Sequence, residues 1–326
     1  MNPAAGGLVL GVDIGGTKIA AGLVDRGGKI LKQIRRPMVA NSTAEAGLDA
    51  VISAIDEMSA LTSADGGFQS IGICAPGPLD PRTGVILNPP NVPCWRNFPL
   101  AQRLTEKYGQ QVKVDKDANA AALAETRWGA ARGYHYVFYV TLGTGIGTGL
   151  VLDGKIYRGN TGAAGEGGHM TIDYRGPICA CGKPGCIEIL AAGPAIGARA
   201  RAKIAAQPSR AATILQFAKG DPTAVASEQV AQAYAAGDPL AREVLEETVE
   251  LLTAWLSNIV DLLDPDILVI GGGVARMMQP FFGELKHGVV RWSVNPHASE
   301  IPLVLAHYGS DAGIAGGAAL CVEEEF

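Results

Sequence analysis

Short apolar runs that end in glycine dominate the first third of the chain. Leu8 to Gly16, "LVLGVDIGG", is an apolar run closed by a glycine pair, the pattern of a buried strand entering a tight turn. Lys18 to Asp25 and Lys29 to Pro37 predict two more strands, with Gly27-Gly28 as the hairpin turn joining them. Residues Thr43 to Leu61 carry helical spacing, and Ser42 or Thr43 offers the hydroxyl of an N-cap. Ser70 to Pro78 reads as a strand running into a Gly/Pro loop. Phe98 to Gly109 reads as a helix stopped by its glycine, and Gln111 to Asp117 as a strand feeding a helix that starts near Asp117.

The pattern then begins again. Tyr136 to Gly159 reads strand, glycine turn, strand, short turn and the start of another strand, the same layout as residues 8 to 35. A loop with three cysteines follows, then an Ala-rich helical region over residues 193–263, then the strand Asp266 to Ile270 leading into Gly271-Gly272-Gly273. A glycine-rich helix from Asp311 toward Val322 closes the chain. Two related α/β units are therefore expected, each opening with a strand–glycine turn–strand device, and a ligand held by both turns would be touched by both units.

Composition narrows the class. The 326 residues are enough for two domains with buried cores, and 48% hydrophobic with 18% charged residues is globular rather than disordered. A net charge of −5 argues against nucleic acid as a partner. The N-terminus lacks a basic segment ahead of its short apolar run, and the most apolar later stretch, Leu251 to Ile270, is broken by Asn258, Asp261, Asp264 and Asp266. A cytoplasmic protein without a membrane partner is expected.

The candidate chemistry lies in the turns. In "DIGGTK", Gly15 and Gly16 free successive backbone N–H groups to approach a phosphate, Thr17 adds a hydroxyl and Lys18 a cation. Asp13, at the strand end, is placed to hold a divalent ion. "LGTGIGTG", with Thr144 and Gly145, supplies the same chemistry from the second unit, and Gly271, Gly272 and Gly273 form a third cluster. Neither turn fits the Walker or dinucleotide fingerprints, since both join strand to strand. Asp117 opens a helix, so it is either an N-cap or a catalytic carboxylate. Cys179, Cys181 and Cys186, with His169 ten residues upstream, supply four ligands of the type and number for a closed tetrahedral zinc site, structural rather than catalytic. The alternative is three unrelated reduced thiols.

With "DKDANAAALAE", "GAAGEGGHM" and "CACGKPGCIE", the two turns make a chain that resembles the ROK family of sugar kinases and repressors over nearly its whole length, most of all the bacterial ROK glucokinases. The resemblance implies an actin-like (ribonuclease H-like) α/β ATPase fold in two domains with a cleft between them. Boundaries are expected at 1–116 plus 310–326 for a smaller domain and 117–309 for a larger one bearing the zinc loop. It implies ATP with magnesium, a hexose substrate and a homodimer or homotetramer. Asp117 would be the catalytic base, and Asn91, Glu166, His169 and Glu188 the contacts to sugar hydroxyls, with His169 binding zinc through its other ring nitrogen. One position departs from the pattern: the family most often carries Asn before this Asp, and Lys116 here could bond a sugar hydroxyl, pair with Asp115 or approach a phosphate. The expected reaction is glucose to glucose 6-phosphate, with N-acetylmannosamine, fructose or allose as other acceptors. A sugar-sensing repressor would need a basic helix-turn-helix domain in front, and the first strand begins at Leu8.

Overall fold

The computed structural model describes residues 7–62 and 67–322. The first sheet grows from the runs just described: β1 (Val9–Ile14), β2 (Lys18–Val24) and β3 (Ile30–Pro37) form an antiparallel trio. Helix α1 (Ala44–Thr62) follows, and the Thr43 hydroxyl caps it by accepting from the Ala46 N–H at 3.1 Å. Strand β4 (Ser70–Ala75) returns parallel to β1. After a small β5–β6 hairpin (Leu79–Asp80, Val85–Ile86) comes α2 (Leu100–Tyr108), closed by left-handed Gly109. Strand β7 (Val112–Lys116) adds parallel to β4 and runs straight into α3 (Asp117–Arg127). The sheet order is β3-β2-β1-β4-β7.

The second sheet repeats this plan with β8 (Val137–Leu142), β9 (Ile146–Leu152), β10 (Lys155–Ile156), β11 (Ile267–Gly271) and β12 (Leu303–Leu305), in the order β10-β9-β8-β11-β12. After the short α4 (Ile187–Ala191), the expected Ala-rich region resolves into α5 (Gly193–Ala206), α6 (Ala212–Phe217), α7 (Ser227–Ala235) and α8 (Pro239–Leu263). Then come α9 (Gly273–Met278), α10 (Phe282–Trp292) and, closing the chain, α11 (Ala312–Cys321). No helix among the described residues is long and apolar enough to cross a membrane.

Alternation along β1 sorts its side chains onto two faces. Leu10, Val12 and Ile14 pack with Val51, Ile55 and Met58 of α1, a face of large side chains. The opposite face is built small: Val9 and Ala20 meet Ile314 and Ala318 of α11, and Cys74 meets Ala120 and Ala124 of α3 with Ala315 and Ala319 of α11. The strand register places Gly22, Gly11 and Gly72 side by side across β2, β1 and β4. A Cβ on Gly11 would lie 1.9 Å from the Ile314 carbonyl oxygen, and one on Gly72 1.8 Å from that of Gly317. Helix α11 thus rests backbone to backbone on the sheet.

The chain divides into two compact units, residues 1–139, 149–165 and 306–326 in the first, 140–148 and 166–305 in the second. Helix α3 lies in the first unit, where it continues β7 and packs against α11. Gly72→Ala drives a methyl group into a carbonyl that cannot rotate away. Its urea midpoint is expected to fall by the equivalent of about 3 kcal/mol with an unchanged slope.

Candidate active site

In the first unit, three neighbouring parallel strands bring chemistry to one edge of the sheet. Asp13 of β1 is in register with Cys74 of β4, and Cys74 with Asp115 of β7, whose next residues are Lys116 and Asp117. Asp117 is the first helical residue of α3 and not its N-cap; its carboxylate accepts from the Ala118 N–H at 2.7 Å. It is exposed, whereas Lys116 and Ala118 on either side are buried. That places a carboxylate at the end of a strand with access to a ligand. Burial raises the pKa of Asp13 from its ordinary value, against the Cys74 thiol, which donates to its Oδ1 at 3.4 Å, and against the Lys18 and Arg35 charges. Burial, then the charges of Asp13 and Asp117, raises the Cys74 thiol. Gly313 at the start of α11 is where a Cβ would meet Asp13 Cγ at 2.3 Å, so the close-lying helix also packs this carboxylate.

The first glycine turn is closed by the Gly15 N–H donating to the Lys18 carbonyl at 2.9 Å, and Thr17 and Lys18 are exposed beside it. Gly16 is required by its neighbour: a Cβ there would lie 2.6 Å from the Asn91 carbonyl oxygen. The turn and the Asn91 loop are therefore in direct contact. The loop is anchored by Trp95, which stacks on Phe98 at 5.3 Å and donates its Nε1–H to the Ala44 carbonyl at 3.1 Å.

In the second unit, the turn of Gly143 to Gly145 is closed by the Gly143 N–H on the Gly145 carbonyl, and the Gly193 N–H at the start of α5 donates to the Gly143 carbonyl, both at 2.9 Å. Glu188 of α4 places Oε2 on the Ile146 N–H at 2.9 Å, and a Cβ on Gly145 would lie 2.6 Å from that oxygen. Its other oxygen, Oε1, lies 3.9 Å from His169 Nδ1 and 4.0 Å from Cys179 Sγ. Glu188 thus joins the turn to the cysteine loop. Gly167 to His169 form a single 3₁₀ turn, held to β9 by the Gly167 N–H on Thr148 Oγ1 at 2.9 Å. Exposed Glu166 precedes this turn.

His169, Cys179, Cys181 and Cys186 gather one ligand atom each within 4.8 Å of one another. Cys181 Sγ to Cys186 Sγ is 3.5 Å, and Cys179 Sγ to His169 Nδ1 is 3.7 Å. Around a tetrahedral ion with metal–sulfur bonds of ~2.3 Å the sulfurs would stand about 3.8 Å apart, so the donor set fits such an ion. The loop is shaped for it: the Gly182 N–H bonds the Cys179 carbonyl in a tight turn, and left-handed Gly185 lets the chain pass against the Asp173 carbonyl. Burial and the neighbouring thiols push Cys186 up to about 12, whereas the Lys183 backbone hydrogen bond lowers exposed Cys181. With Nδ1 toward the thiols, His169 has Nε2 as its second polar atom.

A cavity of about 750 Å³ opens beside the second turn, within the range of small-molecule sites. Gly143 and Thr144 line it together with residues that open three helices: Gly193 of α5, Ser227 and Glu228 of α7, and Gly273 of α9. Helix N-termini of this kind favour a phosphorylated ligand. Of the third glycine cluster only Gly273 lines the cavity. Gly271 ends β11, and Gly272, with φ 93°, lets the chain pass where a Cβ would meet the Leu142 carbonyl at 2.2 Å. Gly193, Ser227 and Glu228 escape sequence reasoning because no motif links them to the turn. The Gly193-Pro194 step before an Ala-rich helix is the one local signal there.

The ROK family pattern matches residues 9–324, and the chain belongs to that family. It is 33% identical to a glucokinase of Thermotoga maritima over 97% of both chains, and 31% identical to an N-acetylmannosamine kinase of Vibrio cholerae over 95% of this chain and 97% of the relative. Among solved structures it is similar to a ROK family glucokinase from Streptomyces griseus in complex with glucose and AMPPNP, at 35% identity and a TM-score of 0.81 over 96% of this chain and 99% of that one. The fold is the two-domain actin-like ATPase fold of these kinases.

Proposed function

We propose that the chain transfers the γ-phosphoryl group of ATP to a hexose, glucose first, and so produces glucose 6-phosphate and ADP. Its relatives support an ATP-dependent hexose kinase. The observation that carries the assignment of roles is the exposed Asp117 carboxylate, one residue beyond β7 at the strand edge that also bears Asp13. Phosphoryl transfer asks a protein mostly to position groups and neutralise charge. In this reading the sugar hydroxyl oxygen attacks the γ-phosphorus, the bond to the ADP oxygen breaks, and the hydroxyl proton moves to the Asp117 carboxylate.

Asn91, Glu166, His169 Nε2 and Glu188 Oε1 serve the sugar hydroxyls; carboxylates and amides suit vicinal hydroxyls because each can engage two at once. Glu188 Oε2 is occupied by the Ile146 N–H, which leaves Oε1 for that task. The backbone N–H groups of Gly16 and Gly145, with Thr17, Lys18 and Thr144, hold the phosphates; the Gly15 N–H, expected to share this task, is instead engaged by the Lys18 carbonyl and shapes the turn. The cavity bordered by α5, α7 and Gly273 takes the nucleoside. Asp13 would hold magnesium, which would neutralise charge on the phosphates. A zinc ion on His169, Cys179, Cys181 and Cys186 would fix the His169 ring and its tautomer, and would brace Glu188 two residues beyond Cys186.

Asp117→Asn removes the proton acceptor and keeps the shape. Turnover with glucose is expected to fall by about 10²–10⁴-fold while calorimetric glucose affinity stays within about threefold. A variant that turns over at the wild-type rate would remove Asp117 from the base role. Freshly purified protein, never exposed to chelator, is expected to contain one zinc per chain by elemental analysis, and Cys181→Ser markedly less. Protein that is fully folded and zinc-free would overturn the metal reading.

A further inference from the structure

Lys116 is 7% exposed and Asp115 1% exposed, a cation and an anion at the buried end of the strand that delivers Asp117. Asp115 Oδ1 accepts from the Lys116 N–H at 2.7 Å and from Asn119 Nδ2 at 3.0 Å, and its Oδ2 accepts from Arg158 Nε at 2.7 Å. The Lys116 side chain runs past Gly77, where a Cβ would lie 3.3 Å from its Cδ, and Nζ donates to the Ala164 carbonyl at 2.6 Å. Arg158 and Ala164 are the two ends of one loop, and the Ala164 N–H closes its neck on the Arg158 carbonyl at 3.1 Å. Left-handed Gly159 makes the neck passable, since a Cβ there would lie 2.9 Å from the Ala164 Cβ. Two consecutive residues of β7 therefore hold both ends of the loop, one by an ion pair and one by a charged hydrogen bond.

We propose that Lys116 is a positioning residue: with the Asp115–Arg158 pair it latches the Arg158–Ala164 loop to the end of β7, and through that loop it sets sugar affinity without touching the transferred phosphate. The connection to affinity rests on the proposed function and follows from chain order. The residue after Lys116 is the proposed base, and two residues after Ala164 comes Glu166, a proposed acceptor for a sugar hydroxyl. A neck fixed at both ends limits the conformations open to the chain entering Glu166. A free neck would have to be ordered when the sugar binds, at the expense of affinity. A hydrogen bond from a buried ammonium is among the stronger ones, and a shorter amide side chain at position 116 would not span the same reach.

Lys116→Met keeps length and burial but removes the donor. Hydrogen exchange in the ligand-free protein is expected to speed up in the peptide covering residues 158–165. The glucose KM is expected to rise about tenfold, with kcat and the ATP KM within about twofold. Lys116→Arg, which retains a long donor, is expected to restore most of both readouts. A fall in kcat at unchanged glucose KM would put Lys116 on the phosphate and overturn the proposal. So would a raised KM with unchanged exchange, which would put it on the sugar, or no change in either. If Lys116→Met does not fold, Arg158→Gln opens the other tie and reads the same two quantities. Should the wild-type protein fail to phosphorylate glucose, the proposed function falls, while the exchange arm still decides whether the latch exists.

Discussion

The close seating of α11 on the first sheet is the constraint on which the first unit of the molecule depends. Gly22, Gly11 and Gly72 form a row without side chains across three strands; the backbone of α11 lies over Gly11 and Gly72, and its Ile314 side chain over Gly22. Gly316 of the same helix faces α3, where a Cβ would lie 2.7 Å from the Ala120 carbonyl carbon. One helix thus contacts β1, β4 and α3, the elements that carry Asp13, Cys74 and Asp117. Side chains of ordinary size in the row would lift the helix by ångströms and shift three functional groups together. Close packing of this kind transmits strain instead of absorbing it, which is why small residues are concentrated on this face and large ones on the other.

The second unit solves a different problem, that of holding polar groups rigidly in a loop with little apolar surface. Its device is one carboxylate with two duties. Glu188 fixes the glycine turn through the Ile146 N–H with one oxygen, and its other oxygen lies beside the Cys/His cluster. One side chain thereby touches the turn, its own helix and the cysteine loop. The glycines at 145, 168 and 185 are among the positions where backbone or side chain approaches too closely for a Cβ. Glycine abundance in this chain serves close approach as much as phosphate binding.

That dual use marks the limit of what the sequence discloses. The first three strands, the Thr43 cap, the Gly109 stop and the Cys/His cluster are local features, each set by residues a few positions apart, and the structure has them where they are expected. The repeat of the strand–turn–strand device is likewise visible in both. Three things were out of reach. Strand β12 is only Leu303–Leu305, too short to show alternation, and it forms by pairing with β11. The cavity wall joins helix starts scattered from residue 193 to 273, a convergence that no local pattern encodes. The Ala164 carbonyl that accepts from Lys116 Nζ lies 48 residues away, and the three alternatives open at that position do not include a backbone carbonyl. Asp117, read as cap or base, proves to be the first helical residue, with its carboxylate on the adjacent N–H and its surface exposed.

The central claim is a chemical one: the γ-phosphoryl group leaves ATP for a sugar hydroxyl and not for water. Phosphorus NMR on the purified protein with ATP, magnesium and one sugar at a time follows every phosphate species in a single sample. With glucose the account predicts one glucose 6-phosphate for each ADP and no accumulation of inorganic phosphate, at a kcat/KM above that for N-acetylmannosamine, fructose or allose. ADP appearing with inorganic phosphate in place of a sugar phosphate, or a sugar phosphate formed only from another hexose, would contradict it.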